Sequence, residues 1–502
     1  MRQSPAELSA TAFRATGHEL VDRVADFLAT IADRPVAPDT SPSAVRFWLR
    51  ASDRVPQQGA DPAAILSEAA DVLFAHSTLN GHPRFFGYIT SSAAPIGVLS
   101  DLLAGAINPN CGAWALSPVA TEMERQTVRW IAELIGYPSD CGGILVSGGN
   151  MANMVCLTAA LRSRADWDVR TRGVTDGKRL AVYASSEVHT WLQKAMDISG
   201  LGTEAFHAIP VDHFLCMDAA ALERRIEDDE AAGWRPAAVV GTAGSVSTGA
   251  IDPLPEIAAL CKRRDIWFHV DGAYGAPAAV LDDAPSALRA MAAADSVAVD
   301  PHKWLYAPLE AGCALVRDSE ILHQSYSFHP PYYRFAGDAD DPPTNFHEYG
   351  PQNSRGFRAL KVWATIRHVG REGYQRMIGD DIELSREMFR LAAAHDSLEP
   401  LTQGLSIATF RYVPVELRAR IGDPTTERYL NELNAALLST LQAEGGVYLS
   451  NAVIGGRFAL RACIVNFRTS DGDVRAVIDA AVRIGARLHK QSRVDPPSLA
   501  PR

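Results

Sequence analysis

The chain reads as an α/β protein built on a largely parallel central sheet, followed by a small C-terminal α+β unit. Three observations predict this. From Gly143 onward, short apolar runs rich in β-branched residues alternate with segments of helical period. The residues best suited to chemistry each come just after one of those runs: Lys303, Asp271, His189 and Gly148-Gly149-Asn150. Strand C-terminal ends are where such sheets bind ligands. Beyond about residue 374 the alternation gives way to helices interspersed with a few strands.

Taken in order, residues 7–31 predict an amphipathic helix with Leu8, Val21, Val24, Phe27, Leu28 and Ile31 on its apolar side. Pro35, Pro38 and Pro42 stop it and force an extended segment. A second helix covers 65–74. His82-Pro83-Arg84-Phe85-Phe86-Gly87-Tyr88 then enters the main domain as a structured loop. A helix over 95–106 leads to the turn-rich Asn108-Pro109-Asn110-Cys111-Gly112. Ser117 and Pro118 supply a cap and a first-position proline for a helix that ends at Gly136.

Strands are expected at 144–146, 180–184, 238–240, 266–270, 296–299 and 313–316. Helices fit between them at 152–161, 189–199, 255–263 and 284–293. Right-handed crossovers bring the strand ends to one edge. A helix runs through Gly370. The last part reads as a helix at 382–394, a strand at 405–412, a helix at 425–442 and strands at 447–449 and 459–465. A final helix at 472–488 is capped by Asp471, with a polar, proline-rich, frayed tail after Lys490. The expected division is a helical arm at 1–81, a large domain at 82–373 that contains a long polar-aromatic loop at 326–349, and a small domain at 374–502.

At 502 residues the chain can fill two or three domains. A net charge of -11 with no basic tract argues against nucleic-acid binding. No stretch reaches membrane-spanning length without a charge or breaker, and the start lacks the apolar core of a signal peptide. Seven scattered cysteines read as reduced thiols of a cytoplasmic protein, and no clustered metal-ligand motif is present.

Alone, each candidate has an ordinary explanation. A lysine after a strand is commonly a surface residue, and a strand-end aspartate commonly caps a turn. Together, a reactive amine, a carboxylate, a ring and an anion-binding turn are the parts needed to hold a pyridine aldehyde phosphate.

The run Val299-Asp300-Pro301-His302-Lys303-Trp304, with His189 and Asp271-Gly272-Ala273 in order upstream, resembles the group II pyridoxal-phosphate-dependent amino-acid decarboxylases. That group includes aromatic-amino-acid, tyrosine, histidine and glutamate decarboxylases. The resemblance covers about residues 82–370. It implies the type I fold of pyridoxal-phosphate enzymes, similar to aspartate aminotransferase, and pyridoxal 5'-phosphate as cofactor. It further implies that Lys303 condenses with the cofactor aldehyde, that Asp271 pairs with the ring nitrogen, and that Ala273 and His189 lie on opposite ring faces. Gly149 and Asn150 would hold the phosphate, with Asn150 in place of the usual serine. Ser245 or Ser247 would touch the cofactor, and His302 would orient the phosphate or a neighbouring group.

The same resemblance implies a homodimer with shared sites, the arm lying across the partner. In aromatic-amino-acid enzymes the segment corresponding to 108–114 walls the partner's pocket. Here Trp114 is retained, whereas Asn110 and Gly112 stand where larger apolar residues are expected, which makes the pocket roomier or more polar. Phe86, Tyr88 and Thr90 are further candidates for the substrate wall. The implied reaction is decarboxylation of an L-amino acid, aromatic first, to the amine and carbon dioxide. An aldehyde synthase, an aldolase or other lyase, and a decarboxylase of a polar amino acid remain open.

Within 326–349, read as a mobile lid, Tyr332 occupies the place where such decarboxylases carry a proton-donating tyrosine and aldehyde-forming relatives carry phenylalanine. Tyr332→Phe should therefore slow amine formation or divert product to aldehyde, read by product mass in aerobic assays. An unchanged rate and product ratio would transfer the role to Tyr333 or His189.

Overall fold

Proline placement shapes the N-terminal region of the computed structural model, which describes residues 4–328 and 342–494. Helix α1 (Ala10–Ala29) starts where Ser9 accepts the Ala12 N–H at 3.1 Å. Helices α2 (Pro42–Trp48) and α3 (Pro62–His76) each carry proline in the first turn behind a capping Ser41 or Asp61. The segment expected to be extended after Pro42 is thus helical, because proline is tolerated where no intrahelical N–H is needed. No residue of α1 is buried, and Phe27 stacks on Phe74 of α3 with ring centroids 4.4 Å apart.

Helices α4 (Pro95–Ile107) and α5 (Pro118–Ile135) lead into the sheet. Ser117 does not cap α5 as expected. Its hydroxyl donates instead to the Asn110 carbonyl at 2.7 Å, tying down the preceding turn. The order is then β1 (Gly142–Val146), α6 (Gly149–Arg164), α7 (Val169–Arg172), β2 (Leu180–Ser185), α8 (Trp191–Ile198), β3 (Phe206–Ile209), α9 (Ala219–Ala231) and β4 (Arg235–Thr242). It continues through α10 (Leu254–Arg264), β5 (Trp267–Asp271), β6 (Ser296–Val299), β7 (Gly312–Val316) and α11 (Ser319–Tyr326).

These strands form one sheet in the order β1-β7-β6-β5-β4-β2-β3, parallel except where β7 pairs with β1 and β6. Both faces are covered. Leu180, Val182 and Ala184 pack with α6 and α8, whereas Ala181 and Tyr183 pack with α5 and α10. This double burial is why the strands are apolar throughout. The register sets Thr242 beside Asp271, and Asp271 beside Ala298, so the strand ends carrying chemistry are neighbours.

The second sheet is antiparallel. Helix α12 (Arg358–Ala394) breaks at Gly370, whose φ of 66° is left-handed, and its second half begins well before the expected residue 382. Strands β8 (Leu398–Gly404) and β9 (Ile407–Tyr412), helix α13 (Pro424–Glu444), strands β10 (Ser450–Ile454) and β11 (Arg457–Cys463), and helix α14 (Asp471–Val494) complete the unit. The order is β10-β11-β9-β8, packed against α12, α13 and α14. The strand expected at 447–449 lies at β10. Asp471 is the first residue of α14 rather than its cap, and Ser470 donates both its N–H and its hydroxyl to Asp473 Oδ2 at that end, at 3.0 and 2.7 Å. The expected helix at 284–293 is a 3-10 segment over Ser286–Ala293. No helix among the described residues is long and apolar enough to cross a membrane, and all seven cysteines are free thiols.

A buried ion pair fastens the turn after α4 to the sheet. Arg355 donates to Glu124 at 2.5 Å and to the carbonyls of Leu145 and Cys111, while the Leu145 N–H donates to the same Glu124 oxygen at 2.9 Å. Both side chains are almost fully buried. Arg355→Leu should lower stability by about 3–5 kcal/mol, because it strands the Glu124 charge. Equilibrium urea unfolding measures the loss, and a shift under about 1 kcal/mol would show that the charge finds another partner.

Candidate active site

The ends of β4, β5 and β6, the start of α6 and one edge of the small sheet enclose a cavity of about 560 Å³. Lys303 enters it from the turn after β6, where its N–H donates to the Asp300 carbonyl at 2.9 Å. Its Nζ lies 3.0 Å from Asp300 Oδ2. Asp300 is buried, and its Oδ1 has no hydrogen-bond partner among the described residues.

Asp271 closes β5 and is also buried. Its Oδ2 accepts the Trp191 indole N–H at 2.7 Å and its Oδ1 accepts the Ala273 N–H at 3.2 Å. The carboxylate is thereby aimed, not free to turn. Behind it lies His269, bonded to Ser296 and Asn153 at 2.8 and 2.7 Å and pushed down to about 4 by burial. It is therefore neutral at ordinary pH.

His189 precedes α8. Burial lowers its pKa, with Asp271 opposing the shift and Lys303 reinforcing it. The Trp191 N–H donates to His189 Nδ1 at 3.2 Å, which leaves the ring proton on Nε2. His302 sits beside the lysine with Nδ1 2.7 Å from the Ala311 carbonyl, its pKa likewise lowered by burial.

At the other end, α6 starts at Gly149 with Gly148 at φ 137° and no capping side chain. The first amides of the helix are left for an anion. The approach is close. A Cβ on Gly149 would lie 2.5 Å from Asp300 Oδ2, and one on Gly312 would lie 2.4 Å from the Gly148 carbonyl carbon. These uncapped amides, the aimed Asp271 carboxylate and the Lys303 amine fit a phosphate, a pyridine nitrogen and an aldehyde on one molecule.

The cavity brings together Lys303, His189, His302, Asp271, Ala273, Gly149, Asn150, Ser247 and Tyr88. It does not gather every candidate. Ser245 is buried with its hydroxyl 2.9 Å from that of Thr248, which leaves Ser247 as the cavity-lining serine of that loop. Phe86 is fully buried in the small-unit core, held by a bond from its N–H to the Tyr448 carbonyl, so it is corrected from substrate wall to packing residue. Residues 82–88 accordingly run against the small unit. Thr90 does not line the cavity. Asn110 Oδ1 accepts the N–H groups of Gly112 and Arg355 at 3.0 and 3.2 Å, closing its own turn. Trp114 lines a separate cleft of about 830 Å³ that holds none of the other candidates. Tyr332 and Tyr333 lie outside the described residues.

Several cavity residues escape the sequence reading, among them Trp191, Asp300, Tyr274, Ser450, Asn451 and Arg461. Arg461 is nearly fully buried and donates through Nη1 to the Tyr88 carbonyl at 3.1 Å and Ser450 at 2.9 Å. Its Nε and Nη2 have no partner among the described residues. An arginine inside the apolar run Phe458-Ala459-Leu460-Arg461-Ala462 is the signal that could have found it.

Lys303→Ala should abolish the visible absorption of the bound cofactor and lower turnover by at least about 10³-fold. Spectra and single-turnover assays check this, and an unchanged band would remove Lys303 from its role.

The chain matches the pyridoxal-dependent decarboxylase conserved domain over residues 48–413. It is 30% identical over 473 residues to an aromatic-L-amino-acid decarboxylase of Bacillus atrophaeus, covering 94% of this chain and 95% of that one. A phenylacetaldehyde synthase of Petunia hybrida is 29% identical over 460 residues, covering 90% of each chain. In structure it is similar to Oryza sativa TDC solved with PLP and tryptamine, with a TM-score of 0.89 and 27% identity over 97% of this chain and all of that one. The type I fold, the cavity chemistry and these matches agree, and the chain belongs to the group II pyridoxal-phosphate-dependent decarboxylases, as a carboxy-lyase that uses pyridoxal phosphate.

Proposed function

We propose that the enzyme converts an aromatic L-amino acid to its amine and carbon dioxide. The observation that carries this reading is the convergence of Lys303, Asp271 and His189 on one cavity beside the uncapped start of α6. Pyridoxal phosphate, when bound, supplies the electron sink for the pair released from the bond to the carboxylate. Lys303 would hold the cofactor aldehyde through its amine and, when not bound to it, would carry protons. Asp271, held by Trp191 and Ala273, would keep a proton on the ring nitrogen. His189, whose pKa burial lowers, would lie on one ring face and Ala273 on the other. The backbone at Gly149 and Asn150 would receive the phosphate, with Ser247 and His302 nearby. Arg461, on the cavity wall beside Ser450 and Asn451, supplies the positive charge that favours a substrate carboxylate.

The aromatic choice is supported by the names of relatives: the Bacillus atrophaeus enzyme and the rice structure holding tryptamine. A second reading, an amino acid with a polar or acidic side chain, is favoured by Ser450, Asn451 and Arg461 on the small-unit wall. The Petunia relative supports aldehyde formation as a third.

We also propose that the enzyme is a cytoplasmic homodimer with shared sites, divided into an arm at 1–81, a large domain at 82–373 and a small domain at 374–502. Leu99, Leu102, Leu103 and Ile107 along α4 are each more than half exposed, an apolar stripe suited to a second copy. The free thiols accord with a reducing compartment.

An amino-acid panel read by product mass, on wild type and Arg461→Met holoenzymes, tests the reading. Aromatic amine with equal carbon dioxide is expected, and Arg461→Met should raise KM by about 10-fold or more. Amine from an acidic substrate alone would establish the second reading. Aldehyde with peroxide as the main product would overturn simple decarboxylation.

A further inference from the structure

The three residues after Lys303 are gripped from one face of α12. Trp304 Nε1 donates to Asp381 Oδ2 at 2.8 Å, and the Tyr306 hydroxyl donates to the same oxygen at 2.5 Å. Two turns earlier on the same helix face, the Tyr374 hydroxyl donates to the Leu305 carbonyl at 3.0 Å. Trp304, Tyr306, Tyr374 and Asp381 are all buried.

The turn being gripped is strained. Tyr306 has φ 57°, a left-handed conformation that a bulky residue holds only when its surroundings impose it. Its N–H donates to the Lys303 carbonyl at 3.1 Å, so the strained residue and the lysine close one turn. The Trp304 ring stacks on Tyr274, centroids 4.9 Å apart, and Tyr274 lines the cavity beside Ala273. The half of α12 that carries Asp381 also packs against β8 and β9, through Met388 and Ala392. Asp381 therefore joins the lysine turn to the unit that carries Arg461.

We propose that Asp381 is a positioning residue for Lys303: its Oδ2, shared by Trp304 and Tyr306, holds the left-handed turn that sets the direction from which the lysine amine enters the cavity. Asp381 touches neither cofactor nor substrate. It acts through the backbone of the turn, and near-attack geometry is sensitive to shifts of about 1 Å. The proposal rests on Lys303 being the reactive amine.

Asp381→Asn, Tyr306→Phe and the double variant, each as holoenzyme, test it. An asparagine keeps the shape but offers the two donors a neutral amide oxygen in place of a carboxyl whose pKa burial pushes up to about 7, and phenylalanine removes one donor while keeping the ring. Each single variant is expected to lower kcat by about 10-fold or more with KM within about two-fold, and to shift the bound cofactor's visible band or speed its release. The double variant should be no worse than the worse single, since both act on one turn. If Asp381→Asn does not fold, Tyr306→Phe gives the same reading. A lower melting temperature with unchanged kcat, spectrum and cofactor release would overturn the proposal as mere packing. Loss of the visible band in Lys303→Ala alongside unaltered Asp381→Asn would sink this inference alone. Retention of the band in Lys303→Ala would sink the lysine reading, and this one with it.

Discussion

Buried negative charge governs the arrangement of the site. Asp271 and Asp300 lie within one cavity, both nearly sealed from solvent. A carboxylate in such surroundings costs several kcal/mol unless it meets a cation or donors. Lys303 answers Asp300 at 3.0 Å, and the Trp191 indole with the Ala273 amide answers part of Asp271. The sheet register makes these groups neighbours by setting the ends of β4, β5 and β6 side by side. The sheet register thus gathers lysine, aspartates and histidine into one electrostatic neighbourhood, with Asp271 and Lys303 pulling the histidine's pKa in opposite directions.

That unit could be read from the chain because central parallel strands announce themselves. Each is covered on both faces, so it is apolar along its length, and a polar residue at its end stands out. Edges carry weaker signals. Strand β3 has four residues and contains His207, which pairs with Asp229. Strand β8 contains Pro400 at a register shift, which masks its pattern. Helix α9 is largely charged and buries only Leu222, Ile226 and Asp229. Phe86 misled for a different reason: an aromatic residue near a site residue serves packing as readily as binding, and only the fold separates the two. Asp381 was illegible because its partners, Trp304 and Tyr306, are distant in sequence, and the apolar run around Arg461 marked it as unusual without revealing its distant partner Tyr88.

The small unit contributes more than cover. It places Arg461, Ser450 and Asn451 on the cavity wall, reaches Tyr274 through the 2.7 Å contact between its hydroxyl and that of Ser406, and meets the lysine turn along α12. The turn at Asn110–Gly112 is likewise fastened, by Arg355, rather than left loose. A Cβ at Gly112 would fall 2.2 Å from the Asn353 carbonyl oxygen, so that turn is shaped by backbone packing as much as by its side chains.

The crowding at the glycine cradle has a bearing on how such an enzyme diversifies. At Gly149 and Gly312 even a methyl group would collide with Asp300 or with the Gly148 backbone, so drift there is closed. The wall that carries Ser450, Asn451 and Arg461 belongs to another sheet and faces no such crowding from the cradle. Lineages that share one cofactor seat can therefore explore different diets by changing a surface the seat does not depend on.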